Sequence, residues 1–262
     1  YKIQYRVMLS RFRGKTICPD CPVPIPGVTS KLTRAGGFLA NLGFPTVYDG
    51  DSDAAVCFGE NAKTLIGRAL PRQLILDFPA AKLLKENGTD TGWLSAEIVE
   101  TPFCHVRGAE VAPVGNLPFA YKIAANPAAT VCAFFRTPNG ETFPAVYRYR
   151  NGSADFLVLA YDGYAATPRN AFATSRLLKE AVLAFLGQRY PVFLRQPFLY
   201  QLCGRKKDGK TVSLFLNFSA DTVWDDAELH LPHPAEFIGN EGVSWAGSTT
   251  ITSPKPPSTS AS

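Results

Sequence analysis

The 262-residue chain is 46% apolar and 12% aromatic, with 21 Gly, 21 Pro, 19% charged residues and a net charge of +5. That composition excludes a disordered tail, a coiled coil and a collagen-like repeat, and no run of about 18 apolar residues offers a membrane-spanning helix. Soluble domains usually carry about 25% charged residues, so part of this surface is expected to meet a partner rather than water.

In chain order, Tyr1, Ile3, Tyr5, Val7 and Leu9 alternate with mostly polar neighbours and predict a half-buried strand. A Pro-rich connection reaches Pro26, and residues 30–42 read as a helix stopped by Gly43. Short strands follow over 44–48 and 54–58, with an acidic turn between them. Residues 61–70 read as helical, 73–77 (Gln-Leu-Ile-Leu-Asp) as a strand, and 80–86 as a short helix ended by Asn87-Gly88. This alternation predicts a mainly parallel sheet with flanking helices.

From Ala96 the rhythm changes. Strand-like runs at 96–100 and 130–136 lead to a hairpin signal at Thr137-Pro138-Asn139-Gly140, with its partner strand over 143–149. Asn151-Gly152 then turns the chain into a strand over 155–161. Thr167 and Pro168 open the clearest helix, whose buried side is Phe172, Leu177, Leu178, Ala181, Val182, Phe185 and Leu186, and Gly187 ends it. After residue 190 the pattern is all-β. Runs at 198–203 and 211–218 flank a turn, further edges fall at 226–231 and 237–245, and a Ser/Thr/Pro-rich tail closes the chain. The expected organisation is an α/β domain over 1–190, a small antiparallel β domain over 191–246 and a tail over 247–262. The first residue is Tyr1, the only Met is Met8, and no signal-peptide pattern opens the sequence, as expected of a piece of a longer chain.

Six cysteines and three histidines bound the metal and redox options. Cys18-Pro-Asp-Cys21 has the spacing of a redox pair or half a zinc site, but no second CxxC occurs and Cys104-His105 is an unusual complement. A structural role is favoured for it. Cys57, Cys132 and Cys203 sit in apolar, strand-like runs and read as buried small hydrophobes. His230 and His233 lie in Leu-His-Leu-Pro-His-Pro, where Pro232 forbids a two-ligand helix face. Asn87, Asn151 and Asn217 head glycosylation sequons, the first two at expected turns.

Catalytic signatures are sparse. No Gly-x-Ser-x-Gly or Gly-x-Cys-x-Gly elbow, P-loop or Gly-x-Gly-x-x-Gly is present; Cys57 follows a strand and precedes Gly59, but its other flank is Ala55-Val56 and no His-x-Glu or His-x-Asp follows. Asp49-Gly50-Asp51-Ser52-Asp53, with Glu60 at the twelfth place, approximates a calcium loop, but Ala54 stands where that loop needs Gly and Pro45 spoils the entering helix. A solvated turn is the better reading. Trp93, Trp224 and Trp245 could stack on sugar rings, although burial is the usual fate of Trp. Arg205-Lys206-Lys207 before Asp208-Gly209 reads as a hairpin tip rather than a nucleic-acid stripe. Nor does an acidic pair at successive strand ends stand out, as a glycosidase would need, and eightfold barrel alternation is absent. No catalytic, cofactor-binding or metal residue is assigned, and no cofactor is expected.

Three stretches carry a resemblance. These are Phe38-Leu-Ala-Asn-Leu-Gly-Phe-Pro-Thr-Val-Tyr-Asp-Gly-Asp-Ser-Asp-Ala-Ala-Val56, then Gln73-Leu-Ile-Leu-Asp77 with Ala80-Ala81, then Phe156-Leu-Val-Leu-Ala-Tyr-Asp162 with Leu199-Tyr-Gln-Leu-Cys-Gly-Arg-Lys-Lys-Asp-Gly-Lys210. Over about residues 30–245 the chain resembles the region downstream of the catalytic barrel in bacterial glycoside-hydrolase-like proteins. That region is the amidotransferase-like α/β domain and small β domain of β-galactosidases with a trimerisation domain. The resemblance implies a flavodoxin-like or amidotransferase-like fold that has lost its triad and serves packing and oligomerisation, with the glycosidase carboxylates on the barrel. The expected partners are therefore a catalytic barrel or sister subunits, possibly carbohydrate, with no nucleic acid. Cys18-Pro-Asp-Cys21 and the first thirty residues depart from the pattern. An independent hydrolase or transferase using Cys57 or another nucleophile and a free-standing carbohydrate-binding module are the alternatives.

Overall fold

A computed structural model describes residues 54–100, 119–163 and 172–186 continuously. Shorter stretches are described at 23–24, 28–29, 39, 42–44, 46–47, 104–107, 110–113, 193–194, 199–205, 207–209, 211–217, 228–230, 244–245 and 250–252. The predicted strand over 1–9, Thr167, Pro168 and most of the predicted helix over 30–42 lie outside them. Two compact units divide the chain: Gly27–Gly187, and Tyr1–Pro26 with Gln188–Ser262.

In chain order the strands open with β1 (Val23–Pro24), β2 (Val28–Thr29), β3 (Thr46–Val47), β4 (Ala54–Cys57) and β5 (Gln73–Asp77). Helix α1 (Phe78–Glu86) leads to β6 (Trp93–Val99), β7 (Cys104–Arg107), β8 (Glu110–Pro113), β9 (Ala120–Ala125), β10 (Thr130–Arg136), β11 (Thr142–Asn151) and β12 (Ala154–Leu159). Helix α2 (Phe172–Leu186) precedes β13 (Phe193–Leu194), β14 (Leu199–Arg205), β15 (Thr211–Asn217), β16 (Glu228–His230), β17 (Ser244–Trp245) and β18 (Thr250–Thr252). A single 3₁₀ segment, Gly59–Leu65, stands where the sequence predicted a helix over 61–70.

The unit of residues 27–187 is built on a nine-stranded sheet of order β3-β2-β4-β5-β12-β11-β10-β7-β8. The pairs β3–β2, β2–β4, β4–β5 and β5–β12 are parallel, whereas β12–β11, β11–β10, β10–β7 and β7–β8 are antiparallel. The sheet is therefore mixed rather than mainly parallel. The expectation fails because the hairpin strands after Ala129 do not form a layer of their own; β11 pairs along β12 from Val146 opposite Leu159 to Asn151 opposite Ala154 and so extends the parallel half. An α/β-like arrangement is retained. The predicted strand at 96–100 belongs instead to a two-stranded antiparallel ribbon of β6 and β9.

Burial follows the sequence closely in the middle of the sheet. Every residue of β4 and β12 and all but Gln73 of β5 are buried. A parallel strand covered on both faces needs apolar side chains at consecutive rather than alternate positions, and Ala-Ala-Val-Cys and Phe-Leu-Val-Leu supply them. On α2, Leu177, Leu178, Ala181, Val182, Phe185 and Leu186 are all buried, the i, i+4 stripe expected of a helix lying on a sheet. The second unit contains the antiparallel sheets β1-β14-β15 and β13-β16-β18-β17. Its hairpin β14–β15 pairs Leu199 with Asn217 through Arg205 with Thr211, in agreement with the predicted turn at 206–210.

Candidate functional site at the carboxyl ends of the parallel strands

In open α/β sheets the carboxyl ends of the parallel strands are where ligands and reacting groups collect. Here β4 ends at Cys57, β5 at Asp77 and β12 at Leu159. Asp77 is the centre of this edge. Its local sequence explains its position: the apolar run 74–76 carries it to the end of a buried strand, and Phe78-Pro79 starts a helix directly behind it. Asp77 has extended backbone and caps α1 by accepting the Ala80 N–H at 3.0 Å, with Pro79 in the first turn where a missing N–H costs nothing.

The same carboxylate reaches two other strand ends. Oδ1 also accepts the Gly59 N–H at 2.8 Å, and Oδ2 accepts the Gly163 N–H at 3.1 Å. Asp77 is wholly buried. Burial pushes its carboxyl up to about 6 despite the three amides, and the nearby Asp162 adds to the rise. Gly163 is needed for this approach, since a Cβ there would stand 2.5 Å from the Phe58 ring. Asp162, beyond the end of β12, is thus an acidic neighbour of Asp77, whose described hydrogen bonds all come from backbone amides.

Cys57, the candidate nucleophile, is buried on β4, and burial together with the Asp77 charge pushes its thiol up to about 12. At neutral pH it is a thiol, whereas nucleophilic attack requires a thiolate. Tyr161 is buried with a hydroxyl that has no hydrogen-bond partner among the described residues, and its acidity is strongly suppressed by burial and by Asp77. Tyr121 is likewise raised by burial, Asp162 and Asp77.

Trp93 is packed rather than presented. Its ring meets Phe78 edge-on at 5.2 Å between centroids, the Lys85 Nζ stands 4.3 Å from its centroid, and Lys85 donates to the Trp93 carbonyl. Phe78 also stacks against Tyr121 at 4.4 Å, so these aromatics form a cluster around the start of α1. Trp245 lies on β17, and Trp224 falls outside the described residues.

The remaining candidates are dispersed. Cys18, Cys21, Asp49, Asp51, Asp53 and His233 lie outside the described residues, and Glu60 is exposed in an ion pair with Lys63 at 3.0 Å. Cys104 and His105 occupy β7 opposite Arg136 and Phe135, Cys203 lies on β14 opposite Ser213, and His230 lies on β16 opposite Phe193. Cys132 is half-buried on β10. Among the described residues no three His, Cys, Asp or Glu side chains converge as a metal site. Asn87 caps α1, with its Nδ2 donating to the Leu83 carbonyl at 2.8 Å, and Asn151 donates to the Asp90 carbonyl at 3.1 Å.

Sequence reasoning missed a second polar knot, at the turn between α1 and β6. Asp90 accepts the Gly92 N–H at 3.0 Å and the Tyr149 hydroxyl at 2.7 Å, while Tyr147 donates to the Thr91 carbonyl at 3.1 Å and Thr91 donates to the Ala81 carbonyl at 2.9 Å. The Gly92 amide leads the groups that hold the Asp90 carboxyl below its ordinary value. The two tyrosines lie 59 and 56 residues from their partners, so only the Asp-Thr-Gly turn chemistry was visible locally.

No protein-family model matches the chain, and no curated protein matches it. Solved structures are similar to it at low identity. A catalytic mutant of a GH42 β-galactosidase of G. stearothermophilus has a TM-score of 0.40 and 11% identity, with 86% of this chain and 36% of that one covered. The β-galactosidase of Bacillus circulans sp. alkalophilus has a TM-score of 0.38 and 12% identity, covering 83% and 34%. An exo-β-1,4-mannosidase of Opitutaceae bacterium strain TAV5 has a TM-score of 0.34 and 15% identity, covering 60% and 30%. The chain spans about a third of the length of the first two and somewhat less of the third. No described helix is long and apolar enough to cross a membrane.

Proposed function

We propose that this chain is a non-catalytic accessory portion of a larger glycoside-hydrolase-like protein, with an amidotransferase-like α/β layer that packs against a catalytic barrel or a sister subunit. The observation that carries the reading is the state of the strand-end edge. Its central carboxylate is buried with both oxygens held by backbone amides, and the neighbouring thiol is held as a thiol, so neither is poised as base or nucleophile. The glycoside-hydrolase context comes from the resemblance over residues 30–245.

A packing role also accounts for the low charged fraction. Residues 94–98 of β6 are exposed in succession, with Leu94 at 58% and Ile98 at 60%, and Phe134 on β10 is 40% exposed. Apolar side chains left in water on a two-stranded ribbon are what a removed partner would leave behind. The test is hydrolysis by the purified chain. With aryl β-galactoside, aryl β-mannoside and glutamine as substrates, no turnover above that of a Cys57→Ala variant is expected. Turnover that disappears in Cys57→Ala contradicts the reading and favours an independent cysteine enzyme.

A further inference from the structure

Three Asn-Gly pairs occur in the chain, Asn87-Gly88, Asn139-Gly140 and Asn151-Gly152, and each lies at a turn. The side-chain amide of an Asn can be attacked by the backbone nitrogen of the next residue, and a glycine leaves that nitrogen unshielded because it has no Cβ. The fold decides whether the two groups are free to meet. At two of the pairs both are tied. Gly88 donates its N–H to the Lys85 carbonyl at 3.0 Å, and Asn87 Nδ2 donates to the Leu83 carbonyl at 2.8 Å. Gly140 donates to the Thr137 carbonyl at 3.0 Å, while Asn139 Oδ1 accepts the Thr137 hydroxyl and the Glu141 N–H, the latter at 3.4 Å.

The third pair differs at the attacking nitrogen. Strands β11 and β12 close on Asn151 opposite Ala154, which leaves Gly152 and Ser153 as a two-residue loop. Gly152 has a φ of 58°, as such a loop requires, and a Cβ there would meet nothing within 4 Å. Its N–H lies outside the ladder and has no hydrogen-bond partner among the described residues. Asn151, Gly152 and Ser153 are all exposed, and the described side-chain bond of Asn151 is the one from Nδ2 to the Asp90 carbonyl at 3.1 Å.

We propose that Asn151 is a site of spontaneous deamidation in the folded protein, converting ahead of Asn87 and Asn139 because no backbone carbonyl holds the amide that follows it.

The step needs only water and hydroxide. Hydroxide takes the Gly152 amide proton, the nitrogen bonds to Asn151 Cγ, and the Cγ–Nδ2 bond breaks. Ammonia leaves with a proton from water, which regenerates hydroxide, and a five-membered imide remains. Water then opens the ring. Cleavage between the nitrogen and Cγ leaves an aspartate, whereas cleavage between the nitrogen and the main-chain carbonyl carbon leaves an isoaspartate. Either product replaces the donor on the Asp90 carbonyl with a carboxylate that only accepts, so the tie between the β11–β12 hairpin and the turn before β6 is lost. The isoaspartate also inserts an extra main-chain carbon at the last rung of the ladder. This site goes beyond the accessory reading and does not depend on it.

Peptide mass spectrometry of the purified chain tests the site, with the protein held at pH 8.5, shown to be folded by circular dichroism, and sampled over days. The Asn151 peptide should convert several-fold faster than the Asn87 and Asn139 peptides, and an isoaspartyl methyltransferase should label the product. In urea, where the ties at all three pairs are released, the three rates should come together. Conversion of Asn87 or Asn139 as fast as Asn151 in the folded chain, no conversion of Asn151 there while the unfolded chain converts, or the same spread of rates in urea overturns the proposal.

Discussion

Strands β5 and β12 run parallel with Asp155 opposite Gln73 and Asp77 opposite Leu159, so each end of this central pair carries one buried carboxylate. Asp155 is 3% exposed and Asp77 is 0% exposed. They are compensated in different ways. Asp155 lies under two guanidiniums from β11: Arg148 Nε reaches Oδ1 at 2.9 Å and Oδ2 at 3.1 Å, Arg148 Nη2 also donates to Oδ2, and Arg150 Nη2 reaches Oδ2 at 3.2 Å. Burial pulls the Asp155 carboxyl upward, but the two arginines outweigh it and hold it below its ordinary value. Among the described residues Asp77 accepts from amides alone, and its carboxyl rises. Two carboxylates closed off from solvent therefore titrate in opposite directions, because Asp77 is the more deeply desolvated and meets amide dipoles, whereas Asp155 meets two guanidiniums.

The largest test of this contrast is Asp77→Ala. It leaves the Gly59, Ala80 and Gly163 amides without their acceptor at a buried site, a loss expected to cost about 3–5 kcal/mol and read as a large fall in the thermal or urea midpoint. A loss under about 1 kcal/mol would remove Asp77 from the centre of the strand-end edge.

The pH dependence comes next, and its sign differs at the two ends. Asp77 is raised from 3.8 to about 6 in the fold, so its contribution is fully present below the unfolded value and is lost as pH rises through about 6. At 1.36 kcal/mol per unit this amounts to about 3 kcal/mol, and the melting temperature is expected to rise as pH falls from 8 to 5. Asp155 is lowered, so its contribution is present above the unfolded value and is lost as pH falls through its folded value, below the ordinary carboxylate range. A single stability maximum near pH 5 is the expected profile. In Asp77→Asn the slope between pH 8 and 5 should flatten while the acid limb remains.

Smaller effects sharpen the comparison. Gly163→Ala drives a methyl group into the Phe58 ring and is expected to cost about 1–3 kcal/mol, the usual range for overpacking a filled core. Arg148→Met removes one of two guanidiniums from Asp155. Arg148 is 40% exposed and Arg150 remains, so the loss should be about 1 kcal/mol, with the acid limb of the stability profile moved to higher pH. Ile98→Lys, on the exposed ribbon, should change the stability of the chain alone by no more than about 0.5 kcal/mol. A larger destabilisation would mean that Ile98 is packed within the chain and is not part of a docking surface.

Much of the central sheet was legible because its strands are read by local composition. The runs at 54–57, 74–76 and 156–159 are apolar at consecutive positions, and that pattern has few other uses in a turn-rich chain. The hairpin at Thr137–Gly140 was legible from its turn residues, and Gly140 has the positive φ such a turn requires. Pairing partners were less so. The apolar runs of β10 (residues 131–135) and β11 (residues 143–147) fit either a separate sheet or an extension of the parallel one, and only the pairing of β11 with β12 decides it. Asp77-Phe78-Pro79 carried a local cap signal, yet its bonds to Gly59 and Gly163 join residues 18 and 86 positions away. Arg148, Arg150 and Asp155 are close in sequence, but their pairing depends on the hairpin that brings β11 beside β12.

The central claim is that the strand-end edge is a structural clamp and not a reaction centre, and the reactivity of Cys57 in the native protein tests it most directly. Pulse alkylation read out at the Cys57 peptide by mass spectrometry should show labelling only on the timescale of unfolding, with a rate that follows urea concentration and shows no plateau up to pH 9. Rapid labelling without denaturant, with an inflection below pH 8, would identify an accessible thiolate and contradict the account.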